Sequence, residues 1–440
     1  MAEDKRDFSF KAYAWRQFKK NKPALFSLYF LFFLIVIAIL APVIANNEPL
    51  YVKYKGNSLF PAISFNSFAD ITDAAGNTQR LQYDVVDWKK LDVESVIWAP
   101  VVYSPGKTDL LNAGYIAPGG DQLYRDENGQ ITSLPKRFWH WLGTSKRGED
   151  VLAGLVHGTR ISLTIGILAM SIASILGIFF GSMAGYFGDN KLIVSRGTFW
   201  FTILGVIISF YYAFMARSYI LGDALATSGA TIATQILLSL IIFIAVILLF
   251  YFLGKVSGII PFMASRVNIP VDSIISRIIE ILISIPNLIL IISIAAIAKP
   301  SIVNLMIIIG FTNWTGIARI TRAEFLKIRN LEYVQAAQAL GFSEFRIILK
   351  HALPNGLAPA FVYIAFGIAS AILIESGLSF LGIGVPHDVV TWGSLVNAGR
   401  ENFSAWWLVV FPGLAIFITV TIYNLLGEGL RDALDPRLKK

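Results

Sequence analysis

The chain has 440 residues, of which 55% are hydrophobic and only 15% are charged, and its mean hydropathy is +0.63. This composition indicates a polytopic membrane protein and excludes an ordinary soluble one. The net charge of +8 does not indicate nucleic-acid binding, because the lysines and arginines lie at the ends of apolar runs. The sequence has no cysteine, which excludes disulfides, thiolate metal sites and cysteine nucleophiles.

The chain begins with a basic segment, residues 1–23, in which aromatic residues alternate with lysines and arginines. This pattern predicts a cytoplasmic segment that lies on the membrane surface. The apolar run at 24–46 exceeds the core of a signal peptide, which is usually about 7–15 residues. We therefore expect a retained first transmembrane helix with a cytoplasmic N-terminus.

Residues 47–140 are too polar for a membrane span and too aromatic for a plain linker. Asn128-Gly129 is typical of a two-residue hairpin turn, and Gly76-Asn77 is a second turn candidate. We expect a small β-rich extracytoplasmic domain. It serves either as a docking surface for a partner or as a structural cap.

Residues 141–190 contain a glycine-rich loop and a second span, predicted at 160–186. Within that span, glycine recurs at every fourth position, at Gly177, Gly181 and Gly185. Such a bare helix face allows a second helix to approach closely. That second helix belongs either to this chain or to another subunit.

Residues 191–268 contain two more apolar runs, at 197–216 and 231–254. Both runs must cross the membrane or neither, because otherwise the polar loop at 331–355 would face outside. We expect an inserted helix pair that turns outside near Gly222–Gly229.

Four further spans are predicted, at 275–297, 302–318, 356–379 and 405–426, and Ile285-Pro286 should kink the first of them. Glu375 lies late in a span, where ionisable residues are candidates for function. It is either a proton relay or a carboxylate that faces water in a translocation path. Ser379, one turn later, is the second candidate for that path.

The polar island at 331–355, between long apolar runs, predicts two short helices. Gly341 suits the left-handed turn that ends the first helix, and Ser343 suits the cap of the second. Pro354 should end the second helix. The apolar face of the second helix is predicted from helical spacing at Phe345, Ile348, Leu349 and Ala352. The island is either a solvated amphipathic loop or a surface that contacts a partner.

This island resembles the EAA loop of ABC-importer permeases, in which two cytoplasmic helices dock into an ATPase. The residues that would carry this coupling role are Gln335, Ala336, Ala337, Gly341, Arg346, Leu353 and Pro354. Gln335 replaces the glutamate of the family pattern, and His351 replaces its isoleucine.

Three other segments resemble the permease group that imports dipeptides, oligopeptides and nickel. They are the run LGTSKRGEDVLAGLVHGTRISL from Leu142, the run ESGLSFLGIGVP from Glu375, and the run LLGEGLRDALDPRLK from Leu425. The resemblance covers about Lys11 to Ala45 and Trp141 to the C-terminus, except for the inserted helix pair. The chain is thus identified as a member of that group, most like its C-type permease.

The resemblance implies an all-α membrane protein with a six-helix permease core, which the inserted pair extends to about eight spans. It implies these partners: a second homologous permease, two ATPase subunits or domains, an extracytoplasmic binding protein, and membrane lipid. It implies no cofactor, no metal and no catalysis in this chain, and a bacterial inner membrane with both termini cytoplasmic. Peptides are the first expected substrate, with nickel or another small solute second.

Two other classes of protein are weaker interpretations. A secondary transporter or channel would carry acidic and basic pairs at mid-span, and few are visible. A membrane-embedded hydrolase would need a nucleophile and a base at motif spacing, and the sequence shows no such motif.

Overall fold

The computed structural model describes residues 10–64, 66–72, 78–126, 129–227, 229–386 and 388–434. Helices dominate these residues. The helices of the first part of the chain are α1 (Phe10–Lys20), α2 (Lys22–Ile44), α3 (Val151–Phe187), α4 (Arg196–Phe210), α5 (Ser218–Thr227), α6 (Gly229–Val256) and α7 (Pro261–Ala264). They are followed by α8 (Val271–Ser284), α9 (Asn287–Ile297), α10 (Ile302–Ile328), α11 (Glu332–Ala339), α12 (Glu344–Ile347), α13 (Leu353–Gly356), α14 (Ala358–Phe380), α15 (Trp392–Arg400) and α16 (Trp407–Leu434).

Seven helices of the described residues are long and apolar enough to cross a membrane. They are α2, α3, α10, α14, α16, and the two helices of the predicted insert over Arg196–Met215 and Thr234–Ile259. Helix α3 begins at Val151 rather than at 160, because a helical backbone continues beyond the apolar part of its sequence.

The predicted span at 275–297 is two helices instead of one kinked helix. Helices α8 and α9 meet at an angle of 82°, and the number of spans is eight if this bent pair crosses as one. The break falls at Ile285-Pro286, where the proline has no N–H to continue the helix and disfavours helical backbone in the residue before it.

The chain divides into two compact units. The first takes the residues up to Phe179, then Ile281–Thr321, and the residues from Leu349 onward. One helical core of this unit packs α1, α2, α14 and α16 around Phe18, Leu34, Ile372, Tyr423 and Leu426. An added Cβ at Gly429 would lie 2.2 Å from the Cβ of Ala24, so this glycine sets how closely α2 and α16 approach.

The α2–α3 segment, residues 45–150, also belongs to the first unit, and the prediction of a β-rich domain there is wrong. Its described strands are short: β1 (Tyr51–Tyr54), β2 (Asn57–Leu59), β3 (Phe68–Thr72), β4 (Thr78–Gln82), β5 (Ser95–Ile97), β6 (Leu123–Arg125) and β7 (Ile131–Ser133). They form three small antiparallel sheets, in the orders β2-β1-β5, β3-β4 and β6-β7. Most of the segment is turn and irregular backbone.

The core of the α2–α3 segment explains why the strands stay short. Tyr83, Trp88, Trp98 and Val102 are buried there. Large aromatic side chains can fill such a core from turns, so burial does not require the period of two that a strand provides. Strands β6 and β7 pair antiparallel. Asn128 of the first predicted turn and the Gly76-Asn77 pair of the second lie outside the described residues.

The second unit comprises Phe180–Glu280 and Arg322–Ile348. Helices α4 and α6 form an antiparallel pair in which an added Cβ at Gly205 would lie 2.5 Å from Phe250 Cβ. Strands β8 (Ile193–Ser195) and β9 (Arg266–Asn268) pair antiparallel and close the base of this helical hairpin. Between α4 and α5, residues Tyr211–Met215 form a π-helical turn.

Candidate functional site

The helical loop, residues 331–355, begins with a turn that backbone hydrogen bonds define completely. Helix α11 ends at Ala339, and Gly341 has a φ of +76°. The Gly341 N–H donates to Gln338 O at 2.9 Å, and the Phe342 N–H donates to Ala337 O at 3.1 Å. These two bonds form a Schellman motif, in which a left-handed residue satisfies the last carbonyls of a helix.

The second half of the loop differs from its prediction. Ser343 occupies the N-cap position of α12, but its side chain makes no capping hydrogen bond. Pro354 does not end the helix: a π turn at Ile348–Ala352 leads into α13, and the proline lies in its first turn. Proline is tolerated there because first-turn N–H groups have no helical partner.

The predicted apolar face of the loop is also wrong in its register. Ile348 and Ala352 are buried as expected, and Ile347 is buried with them. Phe345 and Leu349 are exposed instead. The buried side of this stretch thus includes Ile347, and Phe345 and Leu349, one helical turn apart, lie together on the solvent-facing side.

The loop residues before Leu349 leave several apolar side chains in solvent. Leu340 is 73% exposed and Phe345 is 70% exposed. Phe342 is also exposed, and the guanidinium of Arg346 lies 5.5 Å from its ring centroid. Exposed apolar groups clustered within a few residues are typical of a surface that another protein covers.

Within the second unit, Glu344 holds α12 to the turn that follows α3. Its carboxylate accepts hydrogen bonds from Tyr186 Oη and, at 2.9 Å, from Lys191 Nζ. Lys191 Nζ also lies 3.8 Å from the ring centroid of Tyr186, and Gln338 Nε2 donates to Tyr186 Oη at 3.2 Å. Burial raises the pKa of Glu344, but the hydrogen bonds from Tyr186 and Lys191 outweigh it and leave that pKa lowered.

A second polar contact in this unit fixes the end of α10, from which the loop departs. Arg322 and Asp272 form a bidentate ion pair in which Nη2 lies 2.8 Å from Oδ2. The Arg329 guanidinium donates to Gly185 O at 3.4 Å. The start of the loop is therefore attached to both α8 and α3.

The other predicted loop residues take these positions. Gln335 and Ala336 are exposed on α11, and Gln335 Nε2 donates to Asn330 O at 3.2 Å. Ala337 is buried, Leu353 is half-buried and Pro354 is exposed.

The glycine stripe of α3 contacts α10 of this chain. An added Cβ at Gly177 would lie 2.6 Å from Ile317 Cβ in the first unit. An added Cβ at Gly185 would lie 2.5 Å from Arg322 O in the second unit. Gly181 is buried between them. Contacts this short leave no room for a side chain at Gly177 or Gly185.

Glu375 does not face water, so the expectation of a water-facing carboxylate is wrong. Its exposed fraction is 0%, and Ser379 is buried beside it. The carboxylate accepts hydrogen bonds from Ser162 at 3.1 Å, Ser379 at 2.7 Å and Ser376 at 3.4 Å. Because Ser162 is on α3 and the others are on α14, this cluster ties the two helices together.

Sequence reasoning missed the polar residues that anchor the loop, Tyr186, Lys191 and Gln338. Tyr186 and Glu344 are 158 positions apart, and nothing in their spacing indicates that they meet. The one available signal was the run GYFGDN at Gly185–Asn190, which resembles a turn of the permease group and directly precedes Lys191.

Two family profiles match the chain. The first describes the binding-protein-dependent transport system inner membrane component and matches residues 256–440. The second describes the N-terminal TM domain of oligopeptide transport permease C and matches residues 9–61.

Individual proteins from several bacteria are similar over larger parts of the chain. The inner membrane ABC transporter permease protein YejE of Escherichia coli is 28% identical over 426 residues, which is 96% of both chains. The peptidoglycan transport system permease protein YejE of Agrobacterium fabrum is 26% identical over 96% of this chain and 92% of the relative. The dipeptide transport system permease protein DppC of Alkalihalophilus pseudofirmus is 30% identical over 68% of this chain and 73% of the relative.

Proposed function

Since this chain belongs to the family of inner membrane components of binding-protein-dependent transport systems, we infer that it is a permease subunit of an ABC importer of peptides. Proteins of this family are membrane permeases and are not the ATPases of their importers. The chain is a multi-pass inner membrane protein. Its relatives named as dipeptide and peptide permeases support the peptide as substrate.

The helical loop couples this permease to an ATPase subunit. The observation that carries this proposal is the combination of a rigid turn at Gly341 with exposed apolar side chains on either side of it. A surface that transmits movement must hold its shape while a partner pushes on it. The Schellman motif and the Glu344 anchor provide that rigidity, and Leu340 and Phe345 provide apolar area for the partner to bury.

Movement would pass from the ATPase to the membrane spans through α3 and α10. Glu344 contacts the residues that end α3, and the loop follows α10 directly along the chain. A displacement of α12 would therefore act on both α3 and α10. Rigid-body tilting of such helices can switch access across a membrane.

The complete importer would contain further chains. A second homologous permease would complete the translocation pathway, two ATPase subunits or domains would supply the energy, and an extracytoplasmic binding protein would deliver the peptide. The N-terminus, the C-terminus and the helical loop would all be cytoplasmic, as the basic residues at the ends of the spans favour. The α2–α3 segment would then be extracytoplasmic.

The proposal is tested by purifying the chain with its second permease and its ATPase, and by measuring uptake in proteoliposomes with the binding protein added. Leu340→Asp with Phe345→Asp should weaken ATPase binding at least tenfold, since two exposed apolar anchors are replaced by charge. Phe403→Asp is the matched control, because Phe403 is exposed outside the loop. Peptide uptake without any ATPase, or unchanged ATPase binding by the double variant, would contradict the proposal.

A further inference from the structure

The α2–α3 segment contains a cavity of about 630 Å³ whose wall carries an unusual lysine. The ammonium of Lys89 lies 4.0 Å from the ring centroid of Tyr103 and 5.2 Å from that of Phe138. Aromatic faces attract a cation in this position. They do not neutralise its charge.

The Lys89 ammonium makes no hydrogen bond or ion pair within the part of the chain that the structure describes, although the backbone N–H of Lys89 donates to Asp87 Oδ1 at 3.3 Å. The nearby carboxylates are already engaged: Asp87 pairs with Lys90 at 3.1 Å, and Asp109 binds His140 and Asn112. Burial lowers the pKa of Lys89, although the negative charge of Asp109 opposes this. An anion in the cavity would supply the counter-ion that the protein does not.

The charges that line the cavity favour an anionic ligand. Four cationic side chains and three carboxylates contribute to the wall, and they are Lys89, Lys90, Lys107 and Arg125 with Asp84, Asp87 and Asp109. Arg125 is exposed. Since Asp87 and Asp109 have partners, the unpaired charge at the cavity is positive.

The wall behind Lys89 is held in place. The Tyr103 ring stacks on the imidazole of His140 with centroids 3.9 Å apart, and Tyr103 Oη donates to Phe138 O at 2.5 Å. His140 in turn contacts Asp150 at 2.9 Å and is fully buried. A site whose wall is fixed before the ligand arrives loses less free energy in ordering itself.

Apolar side chains surround the same cavity. Leu110 is 82% exposed and Val85 is 74% exposed, and Leu111 and Leu123 are exposed beside them. None of these residues belongs to a candidate membrane span, so lipid does not account for their exposure. They suit a ligand that carries an apolar group next to its negative charge.

We propose that this cavity binds the C-terminal residue of a peptide, with the free carboxylate on Lys89 and an apolar side chain against Leu110 and Val85. This inference rests on the proposed function, because it assigns a contact to the substrate class proposed there. The volume agrees, since small-ligand pockets occupy about 300–1,000 Å³. An acidic segment of a partner protein would also offer a carboxylate to Lys89. It would need a longer and flatter surface than this cavity provides.

The test uses the full chain in lipid nanodiscs and ligand-observed NMR. The probes are the tripeptide Ala-Ala-Leu and its C-terminal amide, which differ in the carboxylate alone. The wild-type protein should bind the acid roughly tenfold more tightly than the amide, the effect of one charge-assisted hydrogen bond. Lys89→Met should abolish this preference, and Lys89→Arg should retain it.

Lys136→Met is the matched control, because Lys136 is an exposed lysine of the same segment that does not line the cavity. It should keep the preference for the acid. If Lys89→Met does not fold, Leu110→Asp replaces it, because this exposed position tolerates a charge. Both probes lose the apolar contact, but only the acid is repelled by the new carboxylate, so binding of the acid should weaken more than binding of the amide.

Equal binding of the acid and the amide by the wild-type protein would overturn the proposal. So would an equal loss in Lys89→Met and Lys136→Met. The proposal would also be overturned if the binding protein, added without peptide, protected Lys89 from chemical labelling. ATP-driven uptake of Ala-Ala-Leu by the assembled importer is measured in parallel. Uptake without Lys89-dependent binding refutes only the cavity assignment, whereas Lys89-dependent binding without uptake supports the cavity and refutes the importer.

Discussion

Lys191 donates a hydrogen bond to Glu344 at 2.9 Å, although the two residues are 153 positions apart. The contact attaches α12 to the turn after α3. The side chains are 30% and 43% exposed, so solvent screens the pair and it stabilises the fold by less than about 1 kcal/mol. The contact therefore matters for the position of α12 more than for the stability of the fold.

Lys191→Met and Glu344→Gln should each reduce transport per ATP hydrolysed, while the amount of protein in the membrane stays the same. The double variant should be no worse than either single one, because both changes break the same contact. The measurement is the ratio of peptide uptake to ATP hydrolysis in proteoliposomes. Additive losses in the double variant would show that the two residues act separately.

Gly341→Val should uncouple the importer. A β-branched residue in the left-handed region costs about 1–2 kcal/mol. The Schellman turn would therefore open, and the direction of α12 relative to α11 would change. The membrane spans do not depend on this turn, so insertion should persist. Uptake is measured at matched expression, with ATPase binding measured alongside.

Gly341→Asn is the control for that experiment. Asparagine tolerates the left-handed conformation, and an added Cβ at Gly341 meets nothing within 4 Å. Uptake should therefore be largely retained by Gly341→Asn. Normal uptake by Gly341→Val would refute the role of the turn.

The orientation of the chain can be measured directly, because the sequence contains no cysteine. Ser343→Cys places one thiol at an exposed position of the helical loop, and Ser133→Cys places one in the α2–α3 segment. In intact cells, a membrane-impermeant maleimide should label Ser133→Cys and not Ser343→Cys. The reverse pattern would invert the proposed topology.

The sequence predicted the spans and the Gly341 turn well because both depend on local chemistry. An apolar run of sufficient length must be helical in lipid, and a glycine after a helix-forming run commonly ends the helix. The register of the face at Phe345 could not be predicted, because it depends on which side of α12 is covered by distant residues, and helical spacing alone does not show that. The contact of Glu344 with Tyr186 is long-range, and a single sequence does not show which distant residues meet.

The burial of Glu375 was missed for a related reason. Its position late in a span indicated functional importance, but its partners include Ser162 on a different helix. A serine in a membrane helix carries no signal that it faces a carboxylate. The same holds for the α2–α3 segment, where the aromatic content correctly indicated a core but not the irregular backbone around it.

Glu375→Leu should destabilise the protein more than Glu375→Gln. Leucine leaves the hydroxyls of Ser162 and Ser379 buried without their acceptor, at a cost of about 1–3 kcal/mol. Glutamine keeps one acceptor oxygen at nearly the same position. The unfolding temperature of the detergent-solubilised chain should be highest for the wild type, lower for Glu375→Gln and lowest for Glu375→Leu. An equal effect of both substitutions would refute the hydrogen-bonded contact between α3 and α14.

The α2–α3 segment should lose stability as the pH rises. Burial lowers the pKa of His140, but the hydrogen bonds that its ring donates to Asp109 and Asp150 outweigh this effect and leave that pKa raised. A raised pKa stabilises the fold below the unfolded-state value of about 6.5, and this contribution is lost as the pH rises through the folded-state value.

His140→Gln should remove that dependence. Above about pH 6.5, the unfolding temperature of the wild type should fall with rising pH more steeply than that of the variant. Asp109 affects stability at acidic pH instead. Its pKa is lowered, so its contribution to the stability of the fold disappears only when the pH falls through the acidic range. Parallel curves for the wild type and His140→Gln would contradict the assignment.

The turn at Gly341 is closed by main-chain atoms, through Gly341 N–H to Gln338 O and Phe342 N–H to Ala337 O. Its geometry is therefore independent of the side chains at Leu340 and Phe345, which lie on its exposed flanks. Over evolutionary time, those positions are free to change with the surface of a cognate ATPase while the angle between the two helices is inherited unchanged. Recognition can thus diverge between paralogous importers in one cell, and mispairing of their subunits can be avoided, without redesign of the part that transmits force.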